Sequence, residues 1–279
     1  MNPQLPVLAI LPLHSLIIHE YHDDSRTGPL VEKITQSGVF TNPVIVTPLH
    51  DHTARYMVLD GANRTTAMRK LGYPHILAQV VEPDALGVET ETWNHVIWDL
   101  APGDLLAGIR QIEGLELRPS DVQRAYDAVI HKKASLVALH LPDGTVYEVD
   151  ARLPGTVERN RFLNAIVDSY KHRGRMDRTN QRTIEPLRKL YPTLSGLVFM
   201  PKLEIRHIMY LVSQGHRLPA GVTRFSISPR ALRVNFPLEE LKADTSLEEK
   251  NDRLHAFIQR RVAAKGVRYY AEATVLYDE

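Results

Sequence analysis

The sequence predicts a mixed α/β (α+β) chain of two lobes, and three observations carry that expectation. Short runs of β-forming residues alternate with stretches of helical periodicity along the whole length. A strand–turn–helix unit at 56–72 is followed, near Glu82-Pro83-Asp84, by a break rich in proline, glycine and acids. The 279 residues are 43% hydrophobic, enough to bury a sizeable core, and single cores stop growing beyond about 250–300 residues. The lobes are therefore expected over 1–84 and 85–279.

In the first lobe, Val7 to Leu11, Leu16 to Ile18 and Val44 to Thr47 read as strands, with a helix from about Leu30 to Ser37. Tyr56 to Leu59 are β-formers, Asp60-Gly61 is a turn pair, and Gly72 suits the left-handed residue that closes the helix. His75 to Val81 is a further strand. Beyond the break, Trp93 to Leu100 reads as a strand, and Ser120-Asp121 can cap a helix to about Lys132. Ser135 to Leu141 and Val146 to Asp150 form a hairpin through Pro142-Asp143-Gly144. Leu163, Ile166, Val167 and Tyr170 give the 156–172 segment a helical apolar stripe. Helices follow over 183–190, 203–214 and 246–265, and strands over 196–200, 222–227 and 267–276.

The chain carries no cysteine, which removes both disulfide scaffolds and thiol chemistry. With 34 basic and 33 acidic residues the net charge is +1, so no global field draws it to nucleic acid. The most basic stretch, Lys171 to Arg178, lacks interleaved aromatics and reads as a solvated helix end. The thirteen histidines show no zinc-ligand spacing. The N-terminus has no basic leader pattern, and the apolar run 7–13 is broken by Pro12 and too short for a bilayer. The expectation is a cytoplasmic protein with no membrane association.

Chemistry concentrates at the 60–66 turn. An exposed helix N-terminus carries unpaired N–H groups and partial positive charge, and here it lies beside Arg64 and the hydroxyls of Thr65 and Thr66. That combination suits phosphate, and Asp60 at the strand end suits Mg²⁺ or proton transfer.

The ordered set runs from Glu20 and Arg26 through a helix, Gly38, Pro43-Val44-Ile45-Val46-Thr47 and Tyr56-Met57-Val58-Leu59-Asp60-Gly61 to Arg64 and Leu71-Gly72. It resembles the ParB/sulfiredoxin superfamily, and within it the free L-serine kinases, which use ADP or ATP to make O-phospho-L-serine. The resemblance implies a ParB/sulfiredoxin-like nucleotide-binding lobe and a second lobe that completes the substrate site. It implies that Glu20, after His19, is the catalytic carboxylate, and that Asp60 assists and places Mg²⁺. Gly61, Asn63, Arg64, Thr65, Thr66 and Arg26 would then hold the nucleotide. Trp93 and His95, with Thr223 and Arg224 of the segment Gly215 to Arg224, would hold serine, whose carboxylate suits the guanidinium fork. Asn63 stands where those kinases carry histidine. An uncharged residue there, together with the basic run, keeps open an alternative: a non-catalytic ParB-like regulator that binds nucleotide and DNA or a protein partner.

Overall fold

The computed structural model describes residues 5–21, 27–131, 134–152 and 155–270. Apolar β-formers build the first sheet from β1 (Leu8–Pro12), β2 (Leu16–Ile18), β4 (Val44–Pro48), β5 (Tyr56–Asp60) and β6 (His75–Val80), in the order β1-β6-β4-β5-β2. β3 is the short Val39–Phe40. Strands buried on both faces need covering twice, and alternate side chains show which layer covers which. Val44, Val46 and Val58 face one core with Ile34 of α1 (Thr27–Ser37) and Ala67 and Met68 of α2 (Ala62–Lys70). Ile45, Met57 and Leu59 face the other.

The second sheet is six-stranded and wholly antiparallel. The break after residue 84 contains an unexpected strand, β7 (Val88–Thr92), followed by β8 (Asn94–Trp98). Two further elements had no clear signal: α3 (Pro102–Arg110) and β9 (Leu115–Ser120). Then come α4 (Val122–Ile130), β10 (Val137–His140), β11 (Val146–Ala151) and α5 (Thr156–Lys171). Asp121 caps α4 by accepting the Arg124 N–H at 2.9 Å. β12 (Arg175–Thr179), α6 (Glu185–Leu190), β13 (Leu194–Phe199), α7 (Ile205–Ser213) and β14 (Thr223–Ile227) complete the run. α3 and α5 cover one face through Leu105, Ile109, Leu163 and Ile166, and α4 and α6 cover the other through Ala125, Val129 and Leu187.

The basic run begins as the expected helix end, with Lys171 closing α5 and His172 capping it. From Arg175 it becomes β12, the edge strand beside β8. Arg175 stacks over Trp98 at 4.8 Å and pairs with Asp99 at 3.4 Å. A charged edge strand discourages pairing with other chains.

The division at 84 needs amending at the far end of the chain. α7 lays Ile208, Leu211 and Val212 on the first sheet, and residues beyond 227 return to it altogether. β15 (Phe236–Pro237) pairs with β3, α8 (Leu238–Lys242) buries Leu241, and α9 (Leu247–Ala263) buries Leu254 in the first core. Asn251 on α9 accepts the Ile10 N–H at 2.8 Å and donates to the Ile10 carbonyl at 3.1 Å, satisfying the free edge of β1. Of the strand expected over 267–276, residues 267–270 are irregular and the rest lies outside the described residues. No described helix is long and apolar enough to cross a membrane.

Candidate active site

β5 ends at Asp60, and the chain turns at Gly61 (φ +98°) directly into α2. A Cβ on Gly61 would lie 2.8 Å from Val44 Cγ1 and 2.9 Å from an Arg64 nitrogen, so space and backbone both demand glycine. Gly72 (φ +69°) closes the helix as its position in the sequence suggested. The first turn of α2 leaves its leading N–H groups without helical partners, and Ala62, Asn63 and Arg64 line a cavity of about 1560 Å³ between the lobes.

Arg64 donates to Asp60 Oδ2 at 2.9 Å, while its Nε and the Asn63 Oδ1 are buried with no hydrogen-bond partner. Burial depresses the Arg64 guanidinium below its ordinary value, against the pull of Asp60. Unpaired buried polar atoms are costly, and a bound anionic group at the turn relieves that of Arg64. Rotation of the Asn63 amide by half a turn presents a donor in place of the oxygen. The Thr65 hydroxyl is spent on the Gly61 carbonyl at 3.0 Å, inside the helix. Neither Thr65 nor Thr66 is among the cavity-lining residues, so the two hydroxyls expected beside phosphate are not presented there. Arg26 lies outside the described residues.

A residue the sequence did not mark completes this end. Arg230, on the returning segment, pairs with Asp60 Oδ2 beside Arg64. The buried Gln79 amide fixes the backbone on either side of it, donating to the Pro229 carbonyl and accepting the Ala231 N–H, each at 2.8 Å. Nothing local in Ser228-Pro229-Arg230 signals a site; only the fold brings it 170 residues back to Asp60.

β2 runs parallel to β5, with Ile18 beside Val58, and continues into His19 and Glu20 alongside the Asp60 turn, where Glu20 bridges to Leu218. Its Oε2 accepts the Thr223 hydroxyl at 2.8 Å and the Thr223 N–H at 3.3 Å. β14 therefore anchors the carboxylate, which lines the cavity rather than extending into solvent. Trp93, Thr223 and Arg224 line the same wall. Arg224 stacks on Trp93 at 4.7 Å and pairs with Glu91 at 3.2 Å, an acid of β7 that sequence reading passed over as loop.

His95 departs from expectation. It is fully buried and does not line the cavity. Its Nε2–H donates to the Gly221 carbonyl at 3.0 Å, which leaves Nδ1 to accept the Tyr170 hydroxyl at 2.8 Å. Burial holds its pKa at about 4. It supports the cavity wall from behind, at Gly221.

Among the described residues no cluster of three His, Asp or Glu forms a metal cage. Mg²⁺ asks for less, since one or two carboxylates plus substrate phosphates suffice. Both arginines engage the same oxygen of Asp60, Oδ2, so the carboxylate keeps coordinating capacity at Oδ1. The donor set fits a nucleotide-borne magnesium ion.

No protein-family model matches the chain. It aligns at 24% identity, over 98% of its length and 97% of the relative's, with the ATP-dependent L-serine kinase SbnI of Staphylococcus aureus. The solved structure of C-terminally truncated SbnI superposes with TM-score 0.71 and 24% identity, covering 91% of this chain and 97% of that one. A free serine kinase in complex with AMP superposes with TM-score 0.67 and 16% identity, over 86% and 98% of the two chains. The two-lobed α/β fold is shared with these proteins.

Proposed function

We propose that this chain is an ATP-dependent kinase of free L-serine, producing O-phospho-L-serine. The observation that carries the reading is one cavity lined by two unlike groups of residues. Gly61, Asn63, Arg64 and Arg230 offer phosphate contacts, and Glu20, Trp93, Thr223 and Arg224 offer a base and an amino-acid pocket. Its volume of about 1560 Å³ exceeds the roughly 300–1,000 Å³ of a typical single-ligand pocket, which suits a nucleotide and an amino acid together. The relatives named as L-serine kinases add support.

In this reading Arg64 and the N-terminus of α2 grip the phosphates through charge-assisted bonds. Asp60 holds Mg²⁺, which when bound neutralises charge on the phosphates. Arg224 exchanges Glu91 for the serine carboxylate, with Trp93 fixing the guanidinium plane. Glu20 takes the hydroxyl proton as the phosphoryl group transfers in line. The regulator reading needs none of the Glu20–Thr223–Arg224 wall. Incubation with L-serine, Mg²⁺ and ATP or ADP in turn, with mass-spectrometric detection of O-phosphoserine, tests the proposal. Absence of product with every nucleotide refutes it.

A further inference from the structure

The second lobe contributes two cations to the lining of the cavity, Arg178 and Arg224. Arg224 already has an anion, Glu91 at 3.2 Å. Arg178, in β12, has none: among the described residues no hydrogen bond or ion pair engages its guanidinium. Alternation along the strand explains the difference. Met176 and Arg178 share one face of β12, while Asp177 lies on the other, where its carboxylate accepts the Trp98 Nε1–H at 3.1 Å. The acid next to Arg178 in sequence is thereby turned away from it.

The stem of Arg178 is held in place although its head is unpaired. A Cβ on Gly221 would lie 2.9 Å from Arg178 Cδ and 3.3 Å from its Cγ, so the methylenes pack directly on the glycine backbone. Gly221 stands at φ +75°, and its carbonyl accepts the Nε2–H of His95 at 3.0 Å. His95 is also the cross-strand partner of Arg178 in the register of β8 with β12, and the buried Tyr170 hydroxyl holds its other nitrogen. The core thus fixes Gly221, and Gly221 fixes the arginine stem. Two residues further on, Thr223 holds Glu20. One short stretch of chain therefore positions the carboxylate proposed as base and the open cation alike.

We propose that Arg178 binds the α-carboxylate of the acceptor together with Arg224, as a further specificity-determining residue. This rests on the serine-kinase reading. A carboxylate has two oxygens and about four lone-pair directions, enough for two guanidinium groups, and the planar fork of arginine matches it. Arg224 must leave or share Glu91 to reach the substrate, whereas Arg178 displaces no internal anion. Arg178 touches the carboxylate alone and takes no part in proton or phosphoryl transfer, so its loss falls on KM and not on kcat.

Arg178→Met tests the assignment, because it keeps an unbranched stem against Gly221 and removes only the charge. Steady-state kinetics with L-serine and with serine amide, paired with calorimetric titration of ATP, supply the readouts. KM for serine is expected to rise by about five- to thirtyfold, less than the full effect of losing a charged hydrogen bond because the guanidinium is exposed. The kcat for serine, the kcat/KM for serine amide and the ATP affinity should stay within about twofold of wild type. Arg178→Lys should recover part of the loss. If serine and its amide worsen together, the side chain serves only to shape the pocket and the assignment is overturned. It is equally overturned if the KM for serine is unchanged, or if ATP affinity falls instead, which would make Arg178 a phosphate contact. In those cases phosphoserine still forms and the kinase reading stands. If the wild type makes no phosphoserine, the kinase reading falls and takes this assignment with it.

Discussion

Arg230 and Arg64 share a single oxygen of Asp60, one guanidinium arriving from the start of α2 and the other from a segment 170 residues beyond the aspartate. Two cations on one carboxylate leave a positive balance at this turn. In the proposed function, nucleotide phosphates would supply the missing charge. Arg230→Ala is expected to weaken ATP binding by about 1–2 kcal/mol, roughly five- to thirtyfold, because the side chain is partly exposed. Gln79→Leu, which frees the backbone around Arg230, should move affinity the same way by less. Calorimetric titration of both variants measures this; unchanged binding in Arg230→Ala removes the residue from the phosphate site.

Glu20→Gln keeps size and reach but cannot take a proton. The expected loss in kcat is about 10²- to 10⁴-fold, with ATP affinity retained. Steady-state assays paired with nucleotide titration separate the two quantities, and an undiminished kcat would exclude Glu20 as base.

In the proposed function, Arg224→Ala would leave the substrate carboxylate without this cation. KM for serine should rise by about ten- to a hundredfold, in line with a charged hydrogen bond of roughly 1.5–3 kcal/mol, while ATP binding persists. Serine amide should be a poor substrate of the wild type for the same reason. Equal turnover of serine and its amide would place carboxylate recognition elsewhere.

Gly61→Ala forces a side chain into left-handed backbone and against Val44 and Arg64. Left-handed conformation alone costs about 1–2 kcal/mol for a residue with a Cβ, so the melting temperature should fall by several degrees. Nucleotide-induced thermal stabilisation should shrink as well, since the phosphate turn itself is displaced. A variant that melts and binds like the wild type would contradict the geometry of the turn.

His95 gives the protein an acid-side sensitivity. Its pKa falls from 6.5 to about 4 on folding, so the unfolded chain binds more protons between those values and stability drops as pH falls through that window. The contribution, on the order of 3 kcal/mol, is present in full above pH 6.5 and lost by about pH 4. His95→Gln should be less stable at neutral pH and should flatten that stretch of the stability curve. Urea denaturation of both proteins at a series of pH values measures the difference, and parallel curves would refute it.

The sequence by itself determined the elements whose physics is local. The strand, the Asp60-Gly61 turn and the helix closed by Gly72 follow from residue propensity and backbone freedom. Trp93, Thr223 and Arg224 were singled out by resemblance to a family, and the structure sets them along one wall with Glu20. Only the tertiary structure decided what depends on distant partners. It sent Arg230 back to Asp60, gave residues beyond 227 to the first lobe, and withdrew His95 behind Gly221. It also spent the Thr65 hydroxyl inside the helix and carried the basic run on from the end of α5 into an edge strand. The reason is physical. A side chain's freedom to meet a ligand depends on which buried donors and acceptors claim it first, and those claims come from residues far away in the chain.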